Sequence, residues 1–261
     1  MVLGPATTVY LLAFIPAVIW GFTPVLDKRG MALGATPLQA SLVVVVVDLS
    51  LFLLALVITR GFAPFAGVGP FAAGLFLLSG VLGTALGRLT VFDGVDRVGA
   101  SVNSAVVSAR PLFAAVFAFG LLGETLSLAT VLGIVVLVSG LVTLSLSKGG
   151  DLGGWSSWEL GYPLASAAFF ALGNVIRRYG LELGGTDVLQ AVAINEAGAL
   201  FAFLGYAALG GSMKFRSTDP RSAGYFAASG SLTAVALLSM FGALALPAGR
   251  VAIVESLGAT A

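Results

Sequence analysis

Long apolar stretches fill this chain, and clusters of glycine, proline and charged residues interrupt them. A helix that crosses a bilayer needs about 20 mostly apolar residues, and breaks at those clusters leave eight candidate stretches. They are 8–27, 38–59, 70–92, 101–123, 127–146, 159–179, 188–209 and 222–246. A ninth begins near Val251 and is cut off at Ala261, the last residue of the sequence. The pattern predicts membrane spans joined by short connections, of which 148–157 is the most loop-like.

Composition supports the same interpretation. Hydrophobic residues make up 58% of the 261 residues, charged residues only 10%, and the mean hydropathy is +1.05. A soluble domain of this length needs far more charge to cover its surface. We therefore expect an all-α polytopic membrane protein whose surroundings are the lipid bilayer. The N-terminus has no basic residues before its apolar stretch, which favours a retained first helix over a cleaved signal peptide.

Several classes of function are excluded by what the sequence lacks. The formal net charge is +1, without a cluster of basic residues, so nucleic acid is not expected as a partner. The sequence has no cysteine and no histidine, which excludes disulfides, thiol chemistry, metal sites built on those residues and Ser-His nucleophiles. We expect no cofactor and no metal.

The sequence contains signs of an internal repeat. A shift of 150 residues places GLFLLSGVL (74–82) on GYFAASGSL (224–232) and Gly99 on Gly249. Upstream, GATPLQA (34–40) resembles GGTDVLQA (184–191) once one residue is inserted. The shift spans five helices, an odd number, so the second copy enters the membrane in the opposite orientation. This predicts a first repeat over 1–150 and a second, inverted repeat over 151–261, an arrangement typical of secondary transporters.

The same alignment predicts that the second repeat is incomplete. Ala261 aligns with Pro111, so no counterpart of residues 112–148, about 37 residues, is present. We expect ten helices in a complete protein, of which this chain holds about eight and a half. Either the sequence is truncated at its C-terminus or a partner supplies the rest.

Two segments resemble a known family. AVIWGFTPVLDKRG (17–30) and the stretch from 83 to 144 are similar to the drug/metabolite transporter superfamily, EamA-like domain. The family's hallmark is a proline-containing fourth helix that ends in Gly-Glu, followed by a glycine-rich fifth helix. It is matched here by Pro111, Gly123, Glu124, Gly133 and Gly140. The resemblance implies ten helices in two inverted five-helix halves and alternating-access transport of small metabolites. The second half lacks the Pro…Gly-Glu segment, which is a departure from the family.

Three charged residues fall near the middle of the predicted spans, where each costs about 2.5–3.5 kcal/mol on insertion scales. At 1.5 Å per residue, Asp48 and Arg110 lie roughly 15 and 14 Å from the same membrane surface. They meet near the midplane and can form an ion pair. Glu196 lies roughly 12 Å from the opposite surface, again near the midplane.

Two acids and one base at one depth leave an acid unmatched. Burial of an unpaired carboxylate favours its protonated form, so Glu196 is a candidate for binding and releasing protons. Arg110 then engages either a substrate carboxylate or Asp48. The alternative is structural, with an Asp48–Arg110 bridge and Glu196 hydrogen-bonded to a neighbouring helix.

Other polar or aromatic residues are weaker candidates for a substrate pathway. Asn103 lies seven residues before Arg110 on the same helix face, where it either contacts a ligand or joins helices. Further candidates for the lining of a cavity are Trp20, Thr23 and Asn174. Arg88 and Glu255 are expected nearer the two surfaces, where long side chains reach water easily.

Glu124 has a separate interpretation. It ends the fourth span, and the sequence ETLS (124–127) can cap the next helix. We therefore expect a tight, capped turn between the fourth and fifth spans.

Membrane orientation is ambiguous. Alternate connections place lysine or arginine at 28, 29, 97, 148, 214, 216 and 221 on one side and at 60, 177, 178 and 250 on the other. The positive-inside rule would put the N-terminus outside, whereas the family resemblance implies that it is inside. We follow the resemblance.

Together these features predict a multi-pass plasma-membrane carrier that exports small metabolites through rocking of two halves, with protons as a candidate coupling ion. A homodimer is one option left open. A non-transporting scaffold or regulatory subunit fits the incomplete repeat but not the midplane charges. A membrane-embedded enzyme fits less well still, because the acids lie mostly at mid-depth and catalytic carboxylates are expected at a membrane surface.

Overall fold

The structure is a computed structural model that describes residues 4–147, 157–209 and 219–258. Helices are the only regular elements in these ranges. Of the predicted loop at 148–157, only Ser157 belongs to the described residues. Ala261, at the end of the ninth predicted span, also lies outside them.

Eleven α-helices are present in the described residues. They are α1 (Pro5–Ala32), α2 (Pro37–Arg60), α3 (Pro70–Ser79), α4 (Gly87–Val98), α5 (Ala100–Val107), α6 (Arg110–Leu122), α7 (Leu128–Ser147), α8 (Gly161–Glu182), α9 (Val188–Ala208), α10 (Pro220–Ala245) and α11 (Val251–Gly258). A π-helical turn at Gly80–Leu86 joins α3 to α4, and a 3₁₀ turn at Ser157–Leu160 precedes α8.

Six helical stretches of the described residues are long and apolar enough to cross a membrane. They are Ala6–Ala32, Pro37–Arg60, Pro70–Val98, Ala100–Leu122, Val188–Ala208 and Pro220–Ala245, and Leu128–Gly140 is a shorter apolar stretch. The prediction of an all-α polytopic membrane protein is confirmed.

Several spans differ from their predicted form. The first runs on to Ala32, and the predicted sixth span, 159–179, forms α8 but is not among the six stretches long and apolar enough to cross a membrane. The third continues past residue 92 to Val98 because the π turn lets the helix run on without a break. The fourth is interrupted: α5 ends at Val107, and α6 begins at Arg110 with Pro111 in its first turn. Proline lacks the N–H that an inner helical position needs, so it is better placed at the start of a new helix than inside a continuous one.

The sequence analysis placed Arg177 and Arg178 at a membrane surface, and this was wrong. Both lie within α8 and are buried, with 4% and 9% of their surfaces exposed. Protein partners replace the water that a surface position would offer. Arg178 Nη1, for example, donates to the carbonyl of Leu246 at 2.7 Å.

Three packing arrangements build the helical bundle. The helix α1 packs antiparallel to α10, since Ser222 donates to the carbonyl of Gly30 at 3.0 Å and Ser239 donates to that of Leu12 at 2.8 Å. The helix α8 packs along α3, the π turn and α4. Between these arrangements, α2 packs against α9.

Glycines permit the closest helix approaches. Gly80 faces the backbone carbonyl of Asn195 so closely that an added Cβ would overlap it. A Cβ at Gly230 would lie 2.9 Å from the carbonyl oxygen of Val44, also too close for a real contact. Because lipid supplies no hydrophobic drive between helices, contacts of this kind through small residues hold a membrane bundle together.

Candidate functional site

A cavity of about 530 Å³ lies among α1, α2, the π turn, α4, α5, α6, α8, α10 and α11. Eight residues considered in the sequence analysis line it: Trp20, Thr23, Arg88, Asn103, Arg110, Asn174, Arg177 and Glu255. Asp48 and Glu196 are fully buried and do not belong to its lining. The volume falls within the range of about 300–1,000 Å³ that is usual for small-molecule sites.

The cavity extends toward the end of the bundle where α1 passes to α2, which we call the α1–α2 end. Met31, Ala40 and Ala100, which lie near the helix termini at this end, line it. The opposite end, where α2 passes to α3 through residues 61–69, is the α2–α3 end.

Contacts between distant parts of the chain hold the α2–α3 end together. Arg60 forms an ion pair with Asp187, and Gln190 Nε2 donates to the carbonyls of Pro64 and Ala66 at 3.0 and 3.2 Å.

Arg110 reaches the cavity from the first turn of α6 and pairs with Glu255 of α11. Its Nε lies 3.9 Å from Glu255 Oε2, and its Nη2 donates to the carbonyl of Gly258 at 3.4 Å. The guanidinium also lies over the ring of Phe170, 5.3 Å from its centroid. The Asp48–Arg110 pair, one of the two options for Arg110, does not form: in the described residues Asp48 makes no ion pair, and α11 occupies the place beside α6.

Glu255 was expected near a surface, and this too was wrong. Its side chain is 3% exposed, and Asn174 Nδ2 donates to Oε1 of its carboxylate while Arg110 approaches Oε2. Burial against α6 and α8 therefore makes Glu255 part of the inner wall of the cavity. Arg88, likewise expected near a surface, is half-buried and lines the cavity.

Arg177, which also lines the cavity, is the centre of a buried hydrogen-bond network. Its Nη1 donates to Asn174 Oδ1 at 2.6 Å, its Nε to Asn195 Oδ1 at 3.0 Å, and its Nη2 to the hydroxyl of Thr84 at 2.9 Å. The hydroxyl of Ser79 also donates to Asn195 Oδ1, at 2.6 Å. A buried guanidinium needs such partners because an unpaired one is costly.

Glu196 joins this network through one carboxylate oxygen. Asn195 Nδ2 donates to its Oε1 at 2.7 Å, and the Thr84 hydroxyl does so at 3.4 Å. Its Oε2 has no hydrogen-bond partner among the described residues. One oxygen of Glu196 is thus hydrogen-bonded, as in the structural interpretation. The other has no partner among the described residues and is available for a proton, as in the functional one.

Asp48 is the buried acid with the fewest hydrogen bonds in the described part of the chain. It is fully buried in α2, and neither of its oxygens has a hydrogen-bond partner among the described residues. The charged groups that it faces are Glu196 and Arg88.

Asn103 and Arg110 both reach the cavity although the helix breaks between them. Asn103 packs against Gly94 of α4, where its Oδ1 would overlap an added Cβ. That oxygen has no hydrogen-bond partner among the described residues. Trp20 is half-buried and Thr23 is buried, both on the α1 side of the cavity.

The Gly-Glu segment forms a tight turn as expected, with Gly123 at φ 65° and ψ 21° ending α6. The cap of α7, however, is Ser127, whose hydroxyl accepts the Thr130 N–H at 3.1 Å. Glu124 instead accepts the Val251 N–H at 3.3 Å, at the start of α11. Burial raises the pKa of the Glu124 carboxyl above its ordinary value of 4.5.

Sequence reasoning missed three residues of the site: Asp27, Arg177 and Asn195. Asp27 lines the cavity, and its Oδ1 has no hydrogen-bond partner among the described residues. Two signals were available. Asn174 and Arg177 stand three residues apart, so they share a helix face, and Asn195 is polar inside an otherwise apolar span.

Two comparisons with known proteins bear on the chain. The sequence profile of the EamA-like transporter family matches residues 7–146, which is more than half of the chain. No curated protein matches the chain.

Proposed function

Because this chain belongs to the EamA-like transporter family, we propose that it is a secondary-active carrier that exports small metabolites across the plasma membrane by alternating access. Members of this family are membrane transporters of small molecules rather than enzymes. Secondary-active coupling, export and alternating access are the parts that we propose beyond membership of the family.

One observation carries the proposal: a cavity within the bundle that has charged groups on its wall. Arg88, Arg110 and Glu255 line it together with the aromatic side chains Trp20 and Phe170. Ionisable residues inside a membrane protein usually mark a substrate or ion pathway, because burial without a function is costly. Contacts across the α2–α3 end and a cavity that extends toward the α1–α2 end are what one state of an alternating-access carrier requires.

The inverted repeat is part of the proposal, with halves at 1–150 and 151–261. Corresponding helices make corresponding contacts: Gly80 packs on Asn195, and Gly230 packs on Val44. The two glycines are 150 residues apart, and their partners Val44 and Asn195 are 151 residues apart. These separations equal the two shifts found in the sequence, without and with the one inserted residue. Likewise α1 packs on α10 while α8 packs on α3 and α4. This correspondence supports two halves that face each other across the cavity.

Arg110 and Glu196 have separate roles in the proposed cycle. Arg110 presents a guanidinium to the cavity and is the proposed contact for an acidic group of the substrate. Glu196, with one free oxygen in a dry setting, is the proposed proton carrier.

Transport by the protein reconstituted in lipid vesicles tests this function. Counterflow of labelled pools of amino acids, amines and nucleotide sugars would be measured with a pH-reporting dye inside the vesicles. We expect a substrate-dependent pH change and about a tenfold or greater loss of counterflow in Arg110→Gln, since a hydrogen bond to a charged group is worth about 1.5–3 kcal/mol. Arg221→Gln is the matched control, because Arg221 is exposed at the start of α10.

The outcomes separate the parts of the proposal. Counterflow without a pH change, or a pH change that survives in Glu196→Gln, contradicts proton coupling through Glu196. Absence of both signals for all pools contradicts the carrier proposal and favours a scaffold.

A further inference from the structure

Charged groups around the cavity, and behind it, do not balance. The described residues contribute the acids Asp27, Asp48, Glu196 and Glu255 and the arginines Arg88, Arg110 and Arg177. With every group ionised, one negative charge has no counter-charge. An uncompensated charge inside a protein is costly enough that a carboxyl group binds a proton instead.

Hydrogen bonding indicates which acids hold that proton. Glu255 accepts from Asn174 and pairs with Arg110, so its charge is stabilised. Asp27 is half-buried at the cavity wall and faces Arg88, so its charge is partly stabilised. Asp48 and Glu196, by contrast, are fully buried. Three of their four carboxylate oxygens have no hydrogen-bond partner among the described residues.

We propose that Asp48 and Glu196 form a single proton-binding site shared between the two halves of the protein, in which Asp48 supplies the second carboxyl group. This inference rests on the proposed proton coupling through Glu196 and extends it. Asp48 belongs to α2 and Glu196 to α9, the two helices that pack against each other between the halves. Both carboxyl groups are fully buried with oxygens that lack hydrogen-bond partners among the described residues, and two like charges buried between the same pair of helices do not both ionise readily.

The surroundings of the pair supply limited positive charge. From α4, Arg88 faces both carboxyl groups, but it also faces Asp27. From α8, Arg177 faces Glu196 and also Glu255. The π turn contributes only the Thr84 hydroxyl, and where α10 crosses α2 it presents Gly230, which has no charge. A single proton on the pair therefore removes the surplus negative charge.

The position of the pair gives the proton a mechanical role. With the proton bound, the carboxyl groups can share it across the α2–α9 contact and hold the halves together. When the proton leaves, two negative charges face each other in the same contact, which favours separation of α2 from α9. Proton occupancy is then linked to the relative position of the halves.

Infrared spectroscopy of the protein in lipid membranes tests the proton site without a substrate. A pH titration would follow the carbonyl stretch of a protonated carboxyl group, identified by its shift in heavy water. We expect one such band in the native protein, its loss in both Asp48→Asn and Glu196→Gln, and its retention at a shifted frequency in Asp48→Glu. Asp96→Asn, an exposed acid of α4, is the control and should leave the band unchanged.

The contrary results are equally specific. A band that persists in Asp48→Asn shows that Glu196 holds the proton alone, and it overturns the shared site. A native protein without the band in the pH range where it stays folded overturns the site as well. Retention of the band in the conservative Asp48→Glu variant guards against loss through misfolding.

Distances between spin labels test the mechanical role. The chain has no cysteine of its own, so Phe62→Cys and Leu183→Cys introduce label positions on the two halves. Both positions are exposed at the α2–α3 end. We expect the label distance to change with pH in the native background and to stay at its low-pH value in Asp48→Asn. A pH-dependent distance that survives in Asp48→Asn overturns the link between the proton and the halves.

These measurements separate this inference from the proposed function. A shared band and a pH-dependent distance without transport of any pool support the proton site while contradicting the carrier proposal. Transport with coupled protons but with an unaltered band in Asp48→Asn supports the carrier and overturns the shared site.

Discussion

The helices α2 and α9 begin alike and differ in their middle. Each opens with a capping box, Thr36 with Gln39 in α2 and Asp187 with Gln190 in α9, in which side chain and backbone bond reciprocally. Each also receives a glycine of another helical stretch against its backbone, Gly230 on α2 and Gly80 on α9. Halfway along, however, α9 is tied to its neighbours through Asn195 and Glu196, whereas α2 carries an acid without a hydrogen bond.

We expect this difference to make α9 a fixed and α2 an adjustable side of the α2–α9 contact. Asn195 engages Arg177, Ser79 and Glu196, so α9 has one well-defined position relative to α8 and α3. The corresponding residue of α2 is Val44, which offers only its backbone and apolar surface. A carrier with one rigid and one movable partner at its centre can change state without dismantling its polar network.

The glycine contacts are expected to give the largest effects. Gly80→Ala places a methyl group into the Asn195 carbonyl, and the helix backbone cannot yield without shifting α9. Gly230→Ala meets the Val44 carbonyl at 2.9 Å, a smaller overlap on the more adjustable helix. We expect a loss of about 3 kcal/mol or more for Gly80→Ala and about 1–2 kcal/mol for Gly230→Ala, measured by thermal unfolding in detergent.

The chain provides matched controls for both changes. Gly74 and Gly224 lie in the same helical stretches, 150 residues apart, and an added Cβ would meet nothing within 4 Å at either position. Alanine there should be neutral or stabilise by up to about 1 kcal/mol through helix propensity. Equal losses at Gly80 and Gly230 would contradict the distinction between a fixed and an adjustable side.

Asn195→Val is expected to have the next largest effect, because it gives α9 the residue type of α2. It removes the acceptor for Arg177 and Ser79 and the donor to Glu196 and Thr84. Four buried hydrogen bonds, each worth about 0.5–1 kcal/mol, predict a loss of about 2–4 kcal/mol in the free energy of unfolding.

The matched control for Asn195→Val is Asn103→Val. Asn103 is also buried, but its carbonyl oxygen lacks a hydrogen-bond partner among the described residues. Its replacement should cost less than about 1 kcal/mol. A comparable cost at both positions would mean that packing rather than the network holds α9.

The caps are expected to give the smallest effects. Thr36→Ala and Asp187→Ala should each cost about 1 kcal/mol, since each removes a side-chain acceptor at a helix N-terminus. Asp187 also pairs with Arg60 at a partly exposed position, which adds at most about 1 kcal/mol. High salt should bring the two losses together, as measured by unfolding at low and high ionic strength, because salt screens only the ion pair.

Hydrophobic stretches were sufficient to predict the helices because lipid demands about 20 apolar residues regardless of the neighbours. The break before Arg110 was not predicted, since a proline inside an apolar stretch is compatible with either a kink or a new helix. Depth along a helix placed Asp48 and Arg110 at one level but said nothing about the direction in which each side chain points. That direction depends on the packing of α6 against α11, which only the folded chain reveals.

The role of Arg177 illustrates the same limit. Its charge suggested a membrane surface, yet partners on three helices make its burial tolerable. Glycine positions, by contrast, were informative in advance: the shared shift of 150 residues joined Gly80 to Gly230 before their contacts were known.

The contact between Glu124 and Val251 also has a consequence for biogenesis. The carboxylate that covers the start of α11 precedes it by 127 residues, so its partner leaves the ribosome long after the fourth span has entered the membrane. Synthesis proceeds at about 5–20 residues per second, which leaves Glu124 without this partner for several seconds to tens of seconds. During that interval the first five spans must reach their places in the membrane without this contact.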